Sequence, residues 1–280
     1  MRSATGSSEI QYKEIPQEKI RVLQQKVLSF YRKNKRKLPW RQTTDPYKIL
    51  LSEYMLQQTQ VSRVISYYEK WIARWPTIGA LATASLPEVL EMWMGLGYNT
   101  RVVNLHRAAQ KIFDDFDSDV LKAIRQYTVL PGIGKYTSHA VQIFSTNIDL
   151  VTVDTNIRRI FIEEFSLPLN TSDTILWKIA LDCLPRGKSR EWHNALMDYG
   201  ALYLTAKKTG IKPKTKQSKF EGSDRQIRAK ILREVLKKNS SISELECTLG
   251  LQKNRLMPII EKMRKEKLII LQGNVYAIRK

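Results

Sequence analysis

The sequence predicts a mainly α-helical protein that ends in a separate small unit containing a β-hairpin. Apolar residues recur at three- and four-residue spacings between about residues 61 and 205, as on the buried faces of amphipathic helices. Alternating strand patterns are few before residue 265, and a lysine-rich segment over residues 207–219 separates the two parts. The 280 residues, 42% of them hydrophobic, suffice for two or three compact units.

The first apolar stripe lies between residues 61 and 75, and the next helix begins with a capping box. In that box Ser85 and Glu88 are spaced so that each side chain accepts a hydrogen bond from the backbone of the other. Gly95 and Gly97 end the helix. The stripe consists of Val61, Val64, Ile65, Tyr68, Trp71, Ile72 and Trp75. Further helical patterns cover about residues 100–114, 118–127, 136–145, 155–165, 172–183 and 191–205.

Residues 223–280 combine three helical patterns with a terminal hairpin, which is the arrangement of a winged helix. A helix is predicted over Asp224–Lys238, a short one capped by Ser243 through Leu249, and a third over Lys253–Lys265. The sequence LIILQGNVYAI then predicts two short strands around residues 272–274. The residues of the first of these helices that are predicted to face inward are Ile227, Ile231, Leu232 and Val235.

The charge of the chain indicates a polyanionic partner. The net charge is +20, of which residues 211–280 contribute +11, from 18 Lys and Arg against 7 Asp and Glu. Such a surplus favours nucleic acid, whereas the alternative is a solvated lysine-rich surface. Residues 207–222 are predicted to be a basic linker. Lys253, Asn254 and Arg255 open the candidate recognition helix and are expected to contact DNA, unless the winged helix contacts a protein instead.

The location and assembly state follow from what the sequence lacks. No run approaches the roughly 18 apolar residues of a membrane span, and the first 15 residues lack an apolar signal region. We therefore expect a cytoplasmic protein, associated with the nucleoid in a prokaryote, and a monomer. The two cysteines, Cys183 and Cys247, cannot supply a four-cysteine cluster and are expected to be buried small apolar residues.

The segment from Leu130 to Asn156 carries the strongest functional signal. The sequence LPGIG lies between two helical patterns, so its backbone N–H groups and the following helix N-terminus can bind a phosphate. Gly132 and Gly134 are predicted to adopt the tight conformations of the turn. Asp154 follows soon after this phosphate site, which indicates chemistry on DNA.

Four segments together resemble the helix-hairpin-helix Gly/Pro-Asp DNA glycosylases, and within them the MutY-type adenine DNA glycosylases. They are LPWRQTTDPYKILLSEYMLQQTQV, GLGYNTRVVNLHRAA, LPGIGKYTSHA and VDTNIRR. The resemblance covers about residues 25–205. It implies two helical lobes, one from residues 1–45 and 146–206 and the other from residues 46–145, with the winged helix beyond them. It also implies removal of adenine mispaired with guanine or 8-oxoguanine from double-stranded DNA in base excision repair.

The resemblance assigns a role to four catalytic residues. Glu53 matches the general acid that protonates the leaving base, and its apolar neighbours are expected to raise its pKa. Asp154 matches the carboxylate that stabilises the sugar cation, a role compatible with capping a helix. Tyr136 and Asn156 match the polar residues that position these groups. Because bifunctional relatives have a lysine at the position of Tyr136, we expect a monofunctional enzyme without lyase activity.

The resemblance also implies two sets of binding residues. The residues expected to contact DNA are Gln57, Gln58, Thr59, Leu96, Tyr98, Gly132, Gly134 and Lys135. Tyr98 resembles the aromatic wedge that fills the gap left by a flipped nucleotide, and Gln58 and Thr59 match positions that contact the opposing purine. The residues expected to form the base pocket are Arg36, Leu38, Trp40, Val61 and Asn194.

The sequence departs from the family in ways that leave other functions open. The four cysteines of the family's iron–sulfur cluster are absent, so no cofactor is expected, although the hairpin carbonyls are compatible with a monovalent cation. A winged helix replaces the domain that inspects 8-oxoguanine, and Asn194 and Asn99 replace more usual residues. A thymine or uracil glycosylase acting at G·T or G·U mismatches is therefore an alternative. A non-catalytic winged-helix DNA-binding protein is another.

Overall fold

A computed structural model describes residues 14–213 and 219–279. The predicted lack of a signal region concerns the N-terminus, most of which lies outside these residues, as does the middle of the predicted linker. The chain divides into two compact units, which we call the first unit (residues 1–37 and 142–215) and the second unit (residues 38–141 and 216–280). No helix in the described ranges is both long enough and apolar enough to span a bilayer.

The described residues before residue 210 are mainly helical, as predicted. Its helices are α1 (Gln17–Asn34), α2 (Pro46–Leu56), α3 (Val61–Arg74), α4 (Ile78–Ala82), α5 (Leu86–Trp93), α6 (Thr100–Phe116), α7 (Val120–Arg125), α8 (Lys135–Thr146), α9 (Thr155–Glu164), α10 (Asp173–Asp182), α11 (Ser189–Asp198) and α12 (Ala206–Thr209). The predicted capping box at Ser85 and Glu88 is present at the start of α5.

Each unit has its own apolar core. In the first unit, α1 packs on α11, and Val27, Ile160 and Trp192 are among the residues buried between helices. In the second unit, the stripe of α3 is buried through Val64, Tyr68 and Trp71. The Trp71 ring meets that of Trp93 edge-on with centroids 5.7 Å apart, a favoured arrangement for aromatic pairs.

The C-terminal part of the second unit contains three helices and a small antiparallel sheet. These are α13 (Asp224–Lys237), β1 (Ser240–Ser241), α14 (Ile242–Leu249), α15 (Lys253–Lys265), β2 (Ile270–Gln272) and β3 (Val275–Ala277). The strands are ordered β1-β3-β2, and β2 and β3 form the predicted hairpin, with Gly273 at positive φ in the turn. The four apolar residues of α13 predicted to face inward are all buried.

Two details of this C-terminal part differ from the prediction. The short helix α14 is capped by Ser241 and not by Ser243. Ser241 lies three residues before Glu244, and the two form a complete capping box. Glu246 has the same spacing from Ser243, but its side chain accepts from the backbone N–H of Lys253 instead. Strand β1 was not predicted, because two residues are too few to show an alternating pattern.

Candidate active site

Glu53 lies on a helix that is buried on all sides. Helix α2 begins at Pro46 after Asp45, whose side chain accepts hydrogen bonds from the backbone N–H groups of Tyr47 and Lys48. The residues from Ile49 to Met55 are all buried, and Glu53 itself is 8% exposed. A carboxyl group in such surroundings is removed from most of the solvent, as the sequence predicts.

Two loops of the second unit hold residues in the left-handed region of backbone conformation. Gln58, just after α2, has a φ of 56°, and Tyr98, just before α6, has a φ of 48°. Side chains with a Cβ are disfavoured there, and each such residue costs on the order of 1–3 kcal/mol. Strain of this kind concentrates at functional sites. Both residues are among those predicted to contact DNA.

Arg101 joins these two loops. Its Nη1 donates to the carbonyl oxygens of Tyr54 at 2.8 Å and Gln57 at 2.6 Å, and its Nη2 donates to that of Gly97 at 2.9 Å. Nη2 also donates to Oγ1 of Thr59 at 3.1 Å. The guanidinium is buried, and this burial lowers its pKa to about 10, so it stays charged at neutral pH.

The hairpin after α7 packs against α2. The Tyr54 hydroxyl donates to the carbonyl oxygen of Pro131 at 2.5 Å. Gly132 has a φ of 75°, and a Cβ there would lie 2.9 Å from Cβ of Asn104. Gly134 does not have a positive φ, so the predicted tight conformation holds for Gly132 alone. No atom lies within 4 Å of an ideal Cβ on Gly134, which leaves room for a phosphate.

The residues after the hairpin begin helix α8. Lys135 is its first residue and is exposed, whereas Tyr136 is half-buried. The backbone N–H of Ser138 donates to the carbonyl oxygen of Gly134 at 3.0 Å, so the helix continues directly from the turn. The first turn of α8 therefore lies beside the hairpin, at the place where a helix N-terminus can bind an anion.

Asp154 caps helix α9 in the first unit, as predicted. Its Oδ1 accepts from the backbone N–H of Ile157 at 2.7 Å, and its Oδ2 accepts from Nδ2 of Asn156 at 2.9 Å. Burial raises the pKa of Asp154 above its ordinary value, although these hydrogen bonds act in the opposite direction. The carboxylate is thus fixed by donors on both oxygens.

Arg159 continues this network away from Asp154. Its Nη2 donates to Oδ1 of Asn156 at 2.7 Å and to the carbonyl oxygen of Gly200 at 2.6 Å, and its Nε donates to that of Leu204 at 2.5 Å. A Cβ on Gly200 would lie 2.7 Å from Cβ of Asn156. The helical turn after α11 therefore fixes Asn156, and through it Asp154.

The predicted base-pocket residues are distributed over both units. In the second unit, Leu38 and Trp40 are buried, Val61 is half-buried and begins α3, and the Trp40 ring lies 5.4 Å from that of Tyr68. In the first unit, Arg36 forms an ion pair with the fully buried Asp198, with Nε 2.5 Å from Oδ1. Asn194 is buried one turn earlier on α11.

The remaining predicted contacts lie on the surface. Lys253, Asn254 and Arg255 are exposed at the start of α15, and Arg255 pairs with Asp224 at 2.5 Å. Leu96, by contrast, is buried, and its carbonyl accepts from Arg101. Cys183 is buried as predicted, but Cys247 is exposed, because it occupies the outer face of the short helix α14. These two cysteines do not fit a four-cysteine cluster.

Sequence reasoning overlooked Arg101 and Arg159. Each is an arginine in the first turns of a helix with apolar neighbours, where a solvated side chain is out of place. That signal suggests a buried guanidinium, but several of its carbonyl partners come from segments far along the chain. The partners are therefore visible only in the folded structure.

Comparison with known proteins identifies a family that this chain matches. Residues 51–177 match the model of the HhH-GPD superfamily base excision DNA repair proteins. The chain is 36% identical over 229 residues to the adenine DNA glycosylase of Mycolicibacterium smegmatis, covering 74% of this chain and 78% of that protein. It is 38% identical over 184 residues to that of Buchnera aphidicola, where it spans 52%, about half, of the relative's length.

Solved structures show the same fold. A thermostable thymine-DNA glycosylase is 27% identical and superposes with a TM-score of 0.62 over 70% of this chain and 94% of that one. A trapped covalent intermediate of Endonuclease III with DNA superposes with a TM-score of 0.61 at 16% identity, over 73% of this chain and 92% of that one. The latter likeness concerns the fold alone.

We predict that Arg101→Lys loosens both loops. A lysine keeps the charge but cannot reach all the oxygen atoms that accept from the guanidinium. Buried carbonyls then lose their donors, and the free energy of unfolding falls by about 3 kcal/mol. Urea unfolding measures the loss, and amide hydrogen exchange at residues 57–60 and 95–99 locates it. Arg107→Lys, on the exposed side of α6, is the control. Equal stability of the two variants would contradict the role of Arg101.

Proposed function

The chain belongs to the HhH-GPD superfamily of base excision DNA repair proteins, among the relatives of the adenine DNA glycosylases, and we propose that it removes adenine mispaired with guanine or 8-oxoguanine by hydrolysing the N-glycosidic bond. The observation that carries this proposal is the fixed orientation of the Asp154 carboxylate. Its two oxygens are fixed by Ile157 and Asn156, in a family whose relatives are named for base removal.

The proposed chemistry divides the reaction between two carboxyl groups. Glu53 donates a proton to N7 of adenine as the bond between the base and C1′ breaks, so the base leaves neutral. The sugar acquires oxocarbenium character, which the negative charge of Asp154 stabilises. A water oxygen then bonds to C1′ and gives its proton to the Glu53 carboxylate, which restores the acid and leaves an abasic sugar. The burial of Glu53 and the fixed orientation of Asp154 support these roles.

We propose that no Schiff-base intermediate forms between the enzyme and DNA. Tyr136 stands where a bifunctional enzyme of this family would have its lysine, and a phenol does not form a Schiff base with the C1′ aldehyde. Lys135 is next in sequence but begins the helix at the hairpin, where its charge suits a phosphate. The product is accordingly an intact strand with an abasic site.

DNA binding is proposed to involve three surfaces. The hairpin at Gly132 and Gly134 binds backbone phosphate through N–H groups, and the strained residues Gln58 and Tyr98 enter the duplex at the mismatch. The C-terminal helices and sheet have the order of a winged helix, and Lys253 opens its recognition helix. The net charge of +20 supports all three.

The enzyme is proposed to work without an iron–sulfur cluster. The turn that precedes the missing cysteines is instead fixed by Arg159, and Lys208 lies 3.4 Å from the ring centroid of Tyr203 in the same region. These contacts within the polypeptide stabilise the local backbone. No catalytic step depends on a metal.

A second candidate is thymine removal at G·T mismatches. It is favoured by the structural likeness to a thymine-DNA glycosylase at 27% identity. The higher identity to adenine DNA glycosylases makes it the weaker candidate.

The substrate class is testable with a panel of duplexes containing 8-oxoG·A, G·A, G·T and G·U. We expect alkali-dependent strand scission only at adenine, and scission at G·T or G·U would contradict the adenine proposal. Asp154→Asn should lower the single-turnover rate at least 100-fold, as loss of a transition-state charge does, while binding is retained. The control is Asp149→Asn, because an amide oxygen can still accept from Gly187.

The absence of lyase activity is tested by borohydride trapping. The wild-type protein should give no covalent adduct with an 8-oxoG·A duplex, because Tyr136 has no amine, whereas Endonuclease III run in parallel on a duplex that carries an abasic site should give one. Denaturing electrophoresis separates the adduct. An adduct that forms with the wild-type protein and disappears with Lys135→Ala would overturn the prediction.

The raised pKa of Asp154 predicts a particular pH dependence. The carboxylate must be ionised to act, so activity is lost as pH falls through a value above the ordinary aspartate pKa of about 3.9. Asn156→Ala removes a hydrogen bond that lowers this pKa, and the acid limb of the single-turnover rate should move to higher pH. Asn170→Ala, on the exposed loop after α9, is the control. An unmoved acid limb in Asn156→Ala would contradict the assignment.

A further inference from the structure

A cavity of about 1040 Å³ in the second unit is lined both by the strained loops and by the C-terminal helices. Residues 57–60 and 94–101 form one side of it. Arg225, Arg228 and Arg233 of α13 line the other side. The residues proposed to enter DNA thus share a cavity with a helix that the family resemblance does not account for.

The cavity has a surplus of positive charge. Six lining residues are Arg or Lys and two are Asp or Glu. Both acids are already engaged: Asp224 pairs with Arg255 at 2.5 Å, and Glu266 pairs with Arg228 and accepts from Oγ1 of Thr100 at 2.7 Å. Arg63, Arg233 and Lys262 also line the cavity, and their charges suit the phosphates of a nucleic-acid strand that passes through it.

Arg225 contacts the strained Tyr98 directly. Its Nη1 donates to the Tyr98 hydroxyl at 2.9 Å, and its Cζ lies 5.4 Å from the ring centroid. Arg101 contacts the same ring, with Cζ 5.6 Å from the centroid. The aromatic side chain therefore has a guanidinium from each of two helices, and the bond to its hydroxyl fixes its orientation.

The helix that carries Arg225 is attached next to Tyr98. Thr100, two residues after Tyr98, bonds Glu266 at the end of α15, and Glu266 pairs with Arg228 on α13. Arg225 and Arg228 are three residues apart and so lie on the same face of α13. The contact with Tyr98 is thus held by a second, independent link between the same segments.

We infer that α13 forms one wall of the DNA-binding groove and that Arg225 is a positioning residue for Tyr98. The inference rests on the proposed function, in which Tyr98 enters the base stack. Arg225 holds the Tyr98 ring in the orientation in which the ring enters the base stack. The side chain therefore needs no change of rotamer when the target nucleotide is extruded. The charged cavity beside it receives the phosphates of the strand.

Nucleotide extrusion and base removal are measured separately to test this inference. Binding to a G·A duplex is followed by anisotropy, unstacking by the fluorescence of 2-aminopurine beside the mismatch, and base removal by the single-turnover rate at saturating protein. Arg225→Gln, Arg225→Lys and Tyr98→Phe are compared with the wild type. Lys230→Gln removes an exposed charge from the same helix and is the control.

We expect Arg225→Gln to lower the fluorescence rise and the single-turnover rate about tenfold, equivalent to ~1.4 kcal/mol, while Kd changes by less than about threefold. Tyr98→Phe should show the same split, and Arg225→Gln should add little in the Tyr98→Phe background. Arg225→Lys should recover part of the rate. Lys230→Gln should match the wild type.

Three results would overturn the inference: an unchanged rate, a faster rate, or a loss confined to Kd. A faster rate would mean that Arg225 restrains Tyr98, and a loss confined to Kd that it is only a phosphate contact. Failure of the proposed function can be told apart from failure of this inference. In that case the wild-type protein would unstack the mismatch without removing a base. If Arg225→Gln does not fold, Tyr98→Phe, which removes only the hydroxyl, decides the outcome by the same criteria.

Discussion

The second unit depends on one buried guanidinium. Arg101 donates to oxygen atoms in both the loop after α2 and the loop before α6, and so fixes two segments that are some forty residues apart in sequence. Neither loop has regular secondary structure to satisfy its carbonyls, and a buried carbonyl without a donor is costly. The strained conformations of Gln58 and Tyr98 persist because this arginine stabilises the backbone on either side of them.

In the first unit, Arg159 likewise bonds backbone carbonyls through its guanidinium. There the guanidinium connects Asn156 to the carbonyls of Gly200 and Leu204, and Asn156 in turn bonds Asp154. A functional carboxylate is thereby positioned by a chain of hydrogen bonds that ends in backbone oxygen atoms. A buried arginine suits this task because its planar donors reach several acceptors at once. The backbone after α11 is stabilised in this way by the polypeptide itself.

Sequence patterns predicted the elements of the structure better than the contacts between them. The stripe of α3, the capping box at Ser85 and the cap at Asp154 were predictable because each depends on residues within one or two turns. The distant partners of Arg101, Arg159 and Arg225 were not, because they lie more than 40 residues away along the chain and no local period encodes them. The error at Ser243 had a local cause, since Ser241 and Ser243 are each followed three residues later by a glutamate, and the spacing alone does not show that the helix begins after Ser241.

The left-handed conformations of Gln58 and Tyr98 have a consequence for how this chain can change over time. Glycine adopts such conformations without strain, so a glycine at either position would make the protein more stable by relieving it. The same substitution would remove the side chain that is proposed to enter the duplex. Selection for heat resistance alone would therefore erode recognition, and the two pressures oppose each other at these positions. A laboratory lineage evolved only for thermal tolerance should lose its discrimination between paired and mispaired DNA before it loses its fold.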